Sequence, residues 1–173
     1  MRLVLLTERL RLRRLTLDDA GLMLDIWNDP AFIRNVSDRG IRTIEDARQA
    51  MVEGPLKLYE TYGYGPFRIG LAGDDTPVGI CGLFRREGLD VPDIGYALLP
   101  DYYARGYAYE AAAAVVNHAR SDLEIDHLVA IISPENSRSI HLVRKLGLEF
   151  ERMIRLPGDD HDVSLYGIRF DLN

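Results

Sequence analysis

The chain has 173 residues, a formal net charge of −6 and a pI near 5.2, with 47% hydrophobic and 28% charged residues. That length and composition suit a globular fold with a substantial core, with residues 1–173 read as a single domain. The lack of a basic excess argues against a nucleic-acid binder, because phosphates would go unneutralised. The lone cysteine, Cys81, excludes an internal disulfide framework and a cysteine-based zinc site.

Met1–Leu6 is too short for a signal-peptide core, and no apolar run reaches membrane-spanning length, so a cytoplasmic protein is expected. Glu8–Leu15 alternates, Leu10 and Leu12 against Arg11 and Arg13, which predicts a half-exposed strand. Thr16 followed by Asp18 and Asp19 marks a helix start; Leu22, Leu24, Ile26 and Trp27 continue it until Asn28-Asp29-Pro30. A second helix is predicted from Thr43 to about Tyr62, stopped by Gly63 and Gly65. Phe67–Ala72 and Pro77–Arg86 read as strands joined by a hairpin turn, with Cys81 as a small buried hydrophobe. Asp93–Leu99 is the next strand, then a helix over Glu110–Ser121, a strand over His127–Ser133 and a short helix over Ser137–Leu146 closed by Gly147. Leu148–Leu156 and Asp162–Phe170 form a last hairpin pair.

This order predicts an α+β (α/β layered) fold, with a mixed sheet carrying helices on its faces. The strand–helix–strand unit from Asp93 to Ser133 should be parallel and the hairpins antiparallel. The most informative stretch is Asp93–Ala111, a strand that ends in a small-residue turn and feeds an Ala-rich helix. Such a turn leaves backbone N–H groups unpaired at a helix start, a site for a phosphate or pyrophosphate. Gly106 and Ala108 let the backbone approach closely, and Arg105 can add a charge-assisted contact. From these residues alone, a tight connection that binds nothing is an equal reading.

Taken with Ser133–Leu148, with Glu8–Arg13 near the start and with Tyr107–Ala111 after the turn, the stretch resembles the GNAT superfamily of acyl-CoA-dependent N-acyltransferases. The resemblance runs from about Thr7 to the C-terminus and is nearest to the RimJ/RimL-like branch, which contains ribosomal-protein N-terminal acetyltransferases. It implies a splayed sheet of six to seven strands flanked by about four helices. It also implies acetyl-CoA as co-substrate, with no metal. The pyrophosphate loop would fall on Tyr103, Ala104, Arg105, Gly106, Tyr107 and Ala108, with Tyr103 standing where the family has Gln or Arg. Backbone groups of Tyr96, Ala97 and Leu98 would pair with pantetheine, Gly95 being consistent with a bulge, and Asn136 and Ser139 would lie along the pantetheine arm. Helix capping is the competing reading of Asn136 and Ser139, and a solvated strand-start carboxylate that of Asp93.

The resemblance makes Asp93 the expected base, acting through a water, and Ser139 the first candidate to protonate the thiolate. An N–H near Leu98 would hold the oxyanion. Glu110, in the first turn of its helix, is explained by the helix dipole. The implied reaction is direct acetyl transfer to a primary amine, either a protein N-terminus or a small-molecule amine. The alternative is an acyl-CoA-binding module without catalysis. Trp27, Phe32, Tyr59, Tyr62, Tyr64, Tyr102 and Tyr166 are candidates to line the acceptor side, though such aromatics more often pack a core. Neither nucleic acid nor membrane is an expected partner, and homodimerisation is left open.

Overall fold

The computed structural model describes residues 3–171; Met1, Arg2, Leu172 and Asn173 lie outside it, and with them the ends of the expected 1–173 domain and the start of the Met1–Leu6 run. Eight strands form a single sheet: β1 (Leu3–Leu6), β2 (Leu10–Arg14), β3 (Pro66–Leu71), β4 (Pro77–Phe84), β5 (Asp93–Leu98), β6 (His127–Ile132), β7 (Glu149–Ile154) and β8 (Val163–Arg169). Their order is β1-β2-β3-β4-β5-β6-β8-β7. Every neighbouring pair is antiparallel except β5 and β6, which are parallel as expected for a strand–helix–strand unit.

Among the described residues six α-helices cover this sheet: α1 (Ala20–Trp27), α2 (Pro30–Asn35), α3 (Ile44–Glu53), α4 (Pro55–Tyr62), α5 (Tyr107–Ser121) and α6 (Ser137–Lys145). The strand and helix counts therefore exceed the six to seven and about four implied by the sequence. Two of the extra helices have a local cause. Asp29 ends α1 but also caps α2, accepting from Ala31 N and Phe32 N at 3.1 and 3.2 Å, with Pro30 at the first helical position. The predicted helix from Thr43 to Tyr62 is broken at Gly54-Pro55, where proline cannot donate to the preceding turn. β1 carries no strand signal in the sequence, because an unbroken apolar run lacks the two-residue alternation of β2.

Side chains of α5 (Ala111, Ala112, Val115, Ala119) and Val143 of α6 pack on one face against Leu10, Leu12, Cys81, Leu83, Ile94, Leu98, Leu128 and Ala130. Cys81 is fully buried there, as expected, and burial pushes its thiol well up. The opposite face carries α1 to α4 over β2 to β5, closing on Ile80 through Met23, Ile26, Trp27, Ala47 and Met51. Over β6 and β8 that face is covered by the β4–β5 loop instead, whose Leu89 packs on Val129 and Leu165.

A buried ionic group pins α1 to the sheet. Arg13 and Arg68 are register partners on β2 and β3, and Asp19, just before α1, lies between them. Arg13 grips both Asp19 oxygens at 2.7 Å, while Arg68 also reaches Asp75 at 2.9 Å. Burial raises the pKa of Asp19, but the Arg13 bonds, the Thr16 N–H and the Arg68 charge outweigh it and hold the carboxyl below its ordinary value.

Candidate active site

β5 and β6 pair as strands at a single point, the first residue of β5 and the third of β6. The register pairs Asp93 with Val129 alone, and Val129 N donates to Pro92 O at 3.2 Å. Beyond that point β5 stays paired to β4 up to Leu98 and parts from β6. Polar groups of alternate residues in a strand point to opposite neighbours. Because Leu99 N donates to Val78 O of the β4 side, Tyr96 and Leu98 turn their N–H and C=O toward the gap, whereas Ala97 turns its own toward Ile80 of β4. Of the three residues expected to offer backbone to pantetheine, the gap therefore receives the polar groups of Tyr96 and Leu98. Ala97 contributes its methyl to the packing under α1 and α3.

No bulge occurs at Gly95: the β4–β5 register runs without a shift from Gly79–Leu98 to Phe84–Asp93. The glycine instead makes room for Phe84, whose ring carbon Cε2 would lie 2.9 Å from an added Cβ. Tyr96 projects to the other face. Its hydroxyl donates across the gap to Ser139 O at 3.3 Å, and burial pushes its pKa up to about 12. At the start of α6, Asn136 accepts from Ser139 N at 3.2 Å, so the capping reading of Asn136 holds geometrically and the same bond fixes Ser139 beside the gap. His141, on the same helix, is exposed.

The gap leads to the turn before α5. Ala104 at φ 57° and Gly106 at φ 81° flank Arg105, so the chain alternates into the left-handed region and gathers its N–H groups in a concave nest at the start of a 15-residue helix. At Gly106 the conformation itself calls for glycine, and the space an added Cβ would occupy is bounded only by Arg9 Nη2, at 3.3 Å. Arg9 braces this turn. Its guanidinium donates to Arg105 O at 3.0 Å, lies 4.6 Å from the centre of the Tyr107 ring and donates through Nε to Glu110 Oε2 at 2.6 Å. Glu110 also accepts from Thr7 Oγ1 at 2.6 Å and Arg9 N at 2.8 Å. Although burial raises its pKa, these bonds pull it below the ordinary value. The helix-dipole account of Glu110 was thus incomplete, because the residue clamps the β1–β2 turn to α5. Tyr103 turns away from the nest, its hydroxyl donating to Asp29 Oδ2 at 2.9 Å, and burial followed by the Asp29 contact raises it to about 12.

Asp93 stands where the two strands part, on the α1–α4 face, and it is buried rather than solvated, with 1% of its surface exposed. Arg86 Nε donates to Oδ2 at 2.8 Å; Oδ1 is buried without a hydrogen-bond partner among the described residues. Burial raises the carboxyl above its ordinary value, and Arg86 opposes this only in part. The Arg86 contact is the feature that sequence reading missed. The antiparallel register that sets Phe84 opposite Asp93 brings Arg86 there, so the pairing is visible only once β4 and β5 are aligned. Of the aromatic candidates, Trp27 and Tyr166 are core residues, and Tyr59 is tied to Leu15 N and Pro66 O. Among the described residues no cluster of three or more His, Cys, Asp or Glu has metal-holding geometry, and no helix is long and apolar enough to cross a membrane.

A sheet parted beside a parallel pair, with a nest at the following helix, is the frame of the acetyltransferase (GNAT) domain, whose family model matches residues 9–149. The chain belongs to this family of acetyltransferases. An uncharacterized N-acetyltransferase of Bacillus licheniformis, p20, is 28% identical over 154 residues, covering 87% of this chain and 85% of its own. The acetyltransferase of Agrobacterium tumefaciens superposes with a TM-score of 0.80 at 25% identity, over 96% of this chain and 94% of that one. RimL, a ribosomal L7/L12 alpha-N-protein acetyltransferase solved in complex with coenzyme A, shares the fold with a TM-score of 0.82 at 20% identity, over 98% and 99% of the two chains.

Proposed function

We propose that residues 1–173 act as one cytoplasmic catalytic domain that moves an acetyl group from acetyl-CoA to a primary amine, both substrates being bound at once. The observation that carries this reading is the opening between β5 and β6, edged by the free backbone of Tyr96 and Leu98 and leading to the nest at Gly106. The edge suits pantetheine amides, which would add to β5 as a further strand does. The nest of Ala104, Arg105 and Gly106, continued by the N–H groups of Tyr107 and Ala108, suits a pyrophosphate. Asn136 and Ser139 supply the opposite wall. That the RimL structure holds coenzyme A supports the same assignment.

In this reading Asp93 takes a proton from the acceptor ammonium, through a water where the carboxylate does not reach. The neutral nitrogen then attacks the thioester carbonyl carbon: the C–N bond forms, the C–S bond breaks and the electron pair leaves on sulfur. The Leu98 N–H faces the gap and can hold the oxygen that becomes negative. The proton that the nitrogen sheds as the amide forms is relayed through Ser139 or water to the thiolate, so that coenzyme A leaves as the free thiol. Tyr96 has a supporting part. A hydroxyl at about 12 does not give its proton fully to a sulfur whose thiol titrates near ~8.5, but it can donate a hydrogen bond to it.

The acceptor is an amine on a peptide, as the name of RimL would favour, or on a small molecule. The test is release of free coenzyme A from acetyl-CoA over a panel of peptides and small amines, with the product mass determined. Saturable acetyl-CoA binding without turnover on any amine would instead favour a binding module. Gly106→Glu, which puts a carboxylate at the nest and an L-residue at a positive φ, is expected to weaken acetyl-CoA binding by at least about tenfold. Undiminished affinity in a folded variant would sink the loop assignment.

A further inference from the structure

The acceptor side of Asp93 carries a concentration of arginine that the acetyl-transfer chemistry does not use. Arg86 lies 5.4 Å from the centre of the Phe84 ring and holds Asp93 Oδ2. Arg39, from the segment between α2 and α3, is stacked 4.7 Å from the centre of the Trp27 ring. The residue is exposed overall, and its pKa is lowered first by partial burial of the side chain and then by the Arg86 charge. Arg85, next in the chain to Arg86, lies 5.9 Å from the Tyr62 ring and interacts with Tyr64. Among the described residues neither Arg39 nor Arg85 has a carboxylate within ion-pair distance. In a chain of net charge −6, Arg39 and Arg85 thus stand without an acid partner.

Acids lie in the neighbouring loops, and none of them forms an ion pair with Arg39 or Arg85 among the described residues. Glu87 and Asp90 of the β4–β5 loop are exposed. The β7–β8 turn approaches that loop where Pro157 meets Gly88, but two of its acids are already engaged, Asp160 with His161 at 2.9 Å and Asp162 with Arg155 at 2.8 Å. Asp93 itself is covered by Arg86 and has an unpartnered buried oxygen, so it is an incomplete pair awaiting a donor.

We infer that the acceptor is an amine bearing a carboxylate close to the reacting nitrogen, with Arg86 and Arg39 as the groups that bind the carboxylate. The inference rests on the reading of the β5–β6 gap as the acetyl-CoA site and adds the class of its second substrate. Its logic is an exchange of partners. A buried charge stripped of its partner is strongly unfavourable. An ammonium paired with a carboxylate can enter between Asp93 and Arg86 so that the ammonium meets Asp93 and the carboxylate meets guanidinium, and no charge is left alone. The same step uncovers the Asp93 carboxylate for the proton it must accept. An amine without a carboxylate displaces the half-exposed Arg86 from Asp93 and leaves it only solvent in exchange, and a polyamine meets repulsion from the guanidinium groups. Both a free α-amino acid and a peptide with an acidic residue at its N-terminal end carry this chemistry.

The test uses the full chain and begins with acetyl-CoA binding by calorimetry. kcat/KM is then measured on matched acceptors: amino acids against their amides, peptides beginning with acidic residues against their Asn and Gln isosteres, and spermidine. The expected result is a preference for the carboxylate-bearing member of each active pair of at least about tenfold. Arg39→Gln and Arg86→Gln should each reduce that preference while acetyl-CoA affinity stays within about twofold of the parent. The amino-acid and peptide arms decide which source the protein uses. A protein that binds acetyl-CoA yet prefers amides, neutral isosteres or spermidine, or turns over no carboxylate-bearing amine, overturns the inference and leaves the cofactor reading intact. Failure to bind acetyl-CoA overturns both.

Discussion

Asp19 and Asp93 are both buried aspartates on the same face of one sheet, each held by arginine, yet their surroundings push them in opposite directions. Asp19 receives both terminal nitrogens of Arg13, the Thr16 N–H and the Arg68 charge, and its carboxyl is held low. Asp93 receives one nitrogen from a half-exposed arginine, keeps one oxygen without a partner, and is raised. The difference lies in how completely the charge is matched, not in burial. A carboxylate matched on all sides is a structural fastener. One matched on one side is free to exchange its partner or its proton.

The comparison breaks most visibly in stability. Asp19→Ala leaves Arg13 and Arg68 buried and facing each other, and the expected loss is about 3–5 kcal/mol in urea unfolding at pH 7. Asp93→Asn should do the reverse: kcat falls about 10²- to 10⁴-fold, while the unfolding free energy is unchanged or higher. If Asp93→Asn costs as much stability as Asp19→Ala and leaves turnover intact, the two residues are alike and the base assignment fails.

Titration gives a finer contrast. The depressed Asp19 value means that its contribution to stability is present above the unfolded-state pKa and disappears as pH falls through the folded one. Asp93 is raised, so its contribution is present below the unfolded-state pKa and is lost as pH rises through the folded one. The acidic limb of kcat/KM should therefore lie above the ordinary aspartate range near ~3.9, with activity rising as pH rises through it, and should vanish in Asp93→Asn. A pH–rate profile with an unmoved limb in that variant would assign the titration to another group.

Glu110 belongs with Asp19 in this scheme, and the expected effect is the smallest. Glu110→Gln keeps the shape but loses the charge that binds Arg9, with a loss of about 1 kcal/mol at pH 7. Since the Glu110 pKa is depressed, the gap between parent and variant should close as pH falls below the usual glutamate range. Acetyl-CoA affinity measured in parallel shows whether the brace at the nest transmits to the ligand.

How much of this was legible beforehand depends on the distance over which each feature is encoded. The turn from Leu98 to Tyr107 and the Asn136 start of α6 are written in consecutive residues, so chain order located them. α2 was hidden because Asp29-Pro30 serves equally as the stop of one helix and as the cap and first residue of the next. The two segments around Arg9 and around Glu110 were read as separate signals although one ion pair joins the β1–β2 turn to α5. The Arg86–Asp93 pair, the Arg13–Asp19–Arg68 group and the arginines near Trp27 all depend on register and packing, which short-range patterns do not contain.

The contact made by Tyr103 bears on whether the two substrates influence each other's affinity. A single oxygen, Asp29 Oδ2, accepts from Ala31 N, Phe32 N and the Tyr103 hydroxyl, so one atom belongs both to the beginning of α2 and to the loop that precedes α5. Any ligand that draws Tyr103 out of place withdraws a donor from that atom, and any acceptor that shifts α2 does the same from the other side. Where both occupancies draw on that hydrogen bond, their free energies are coupled through it, and thermodynamic reciprocity then requires each substrate to alter the affinity of the other by the same factor.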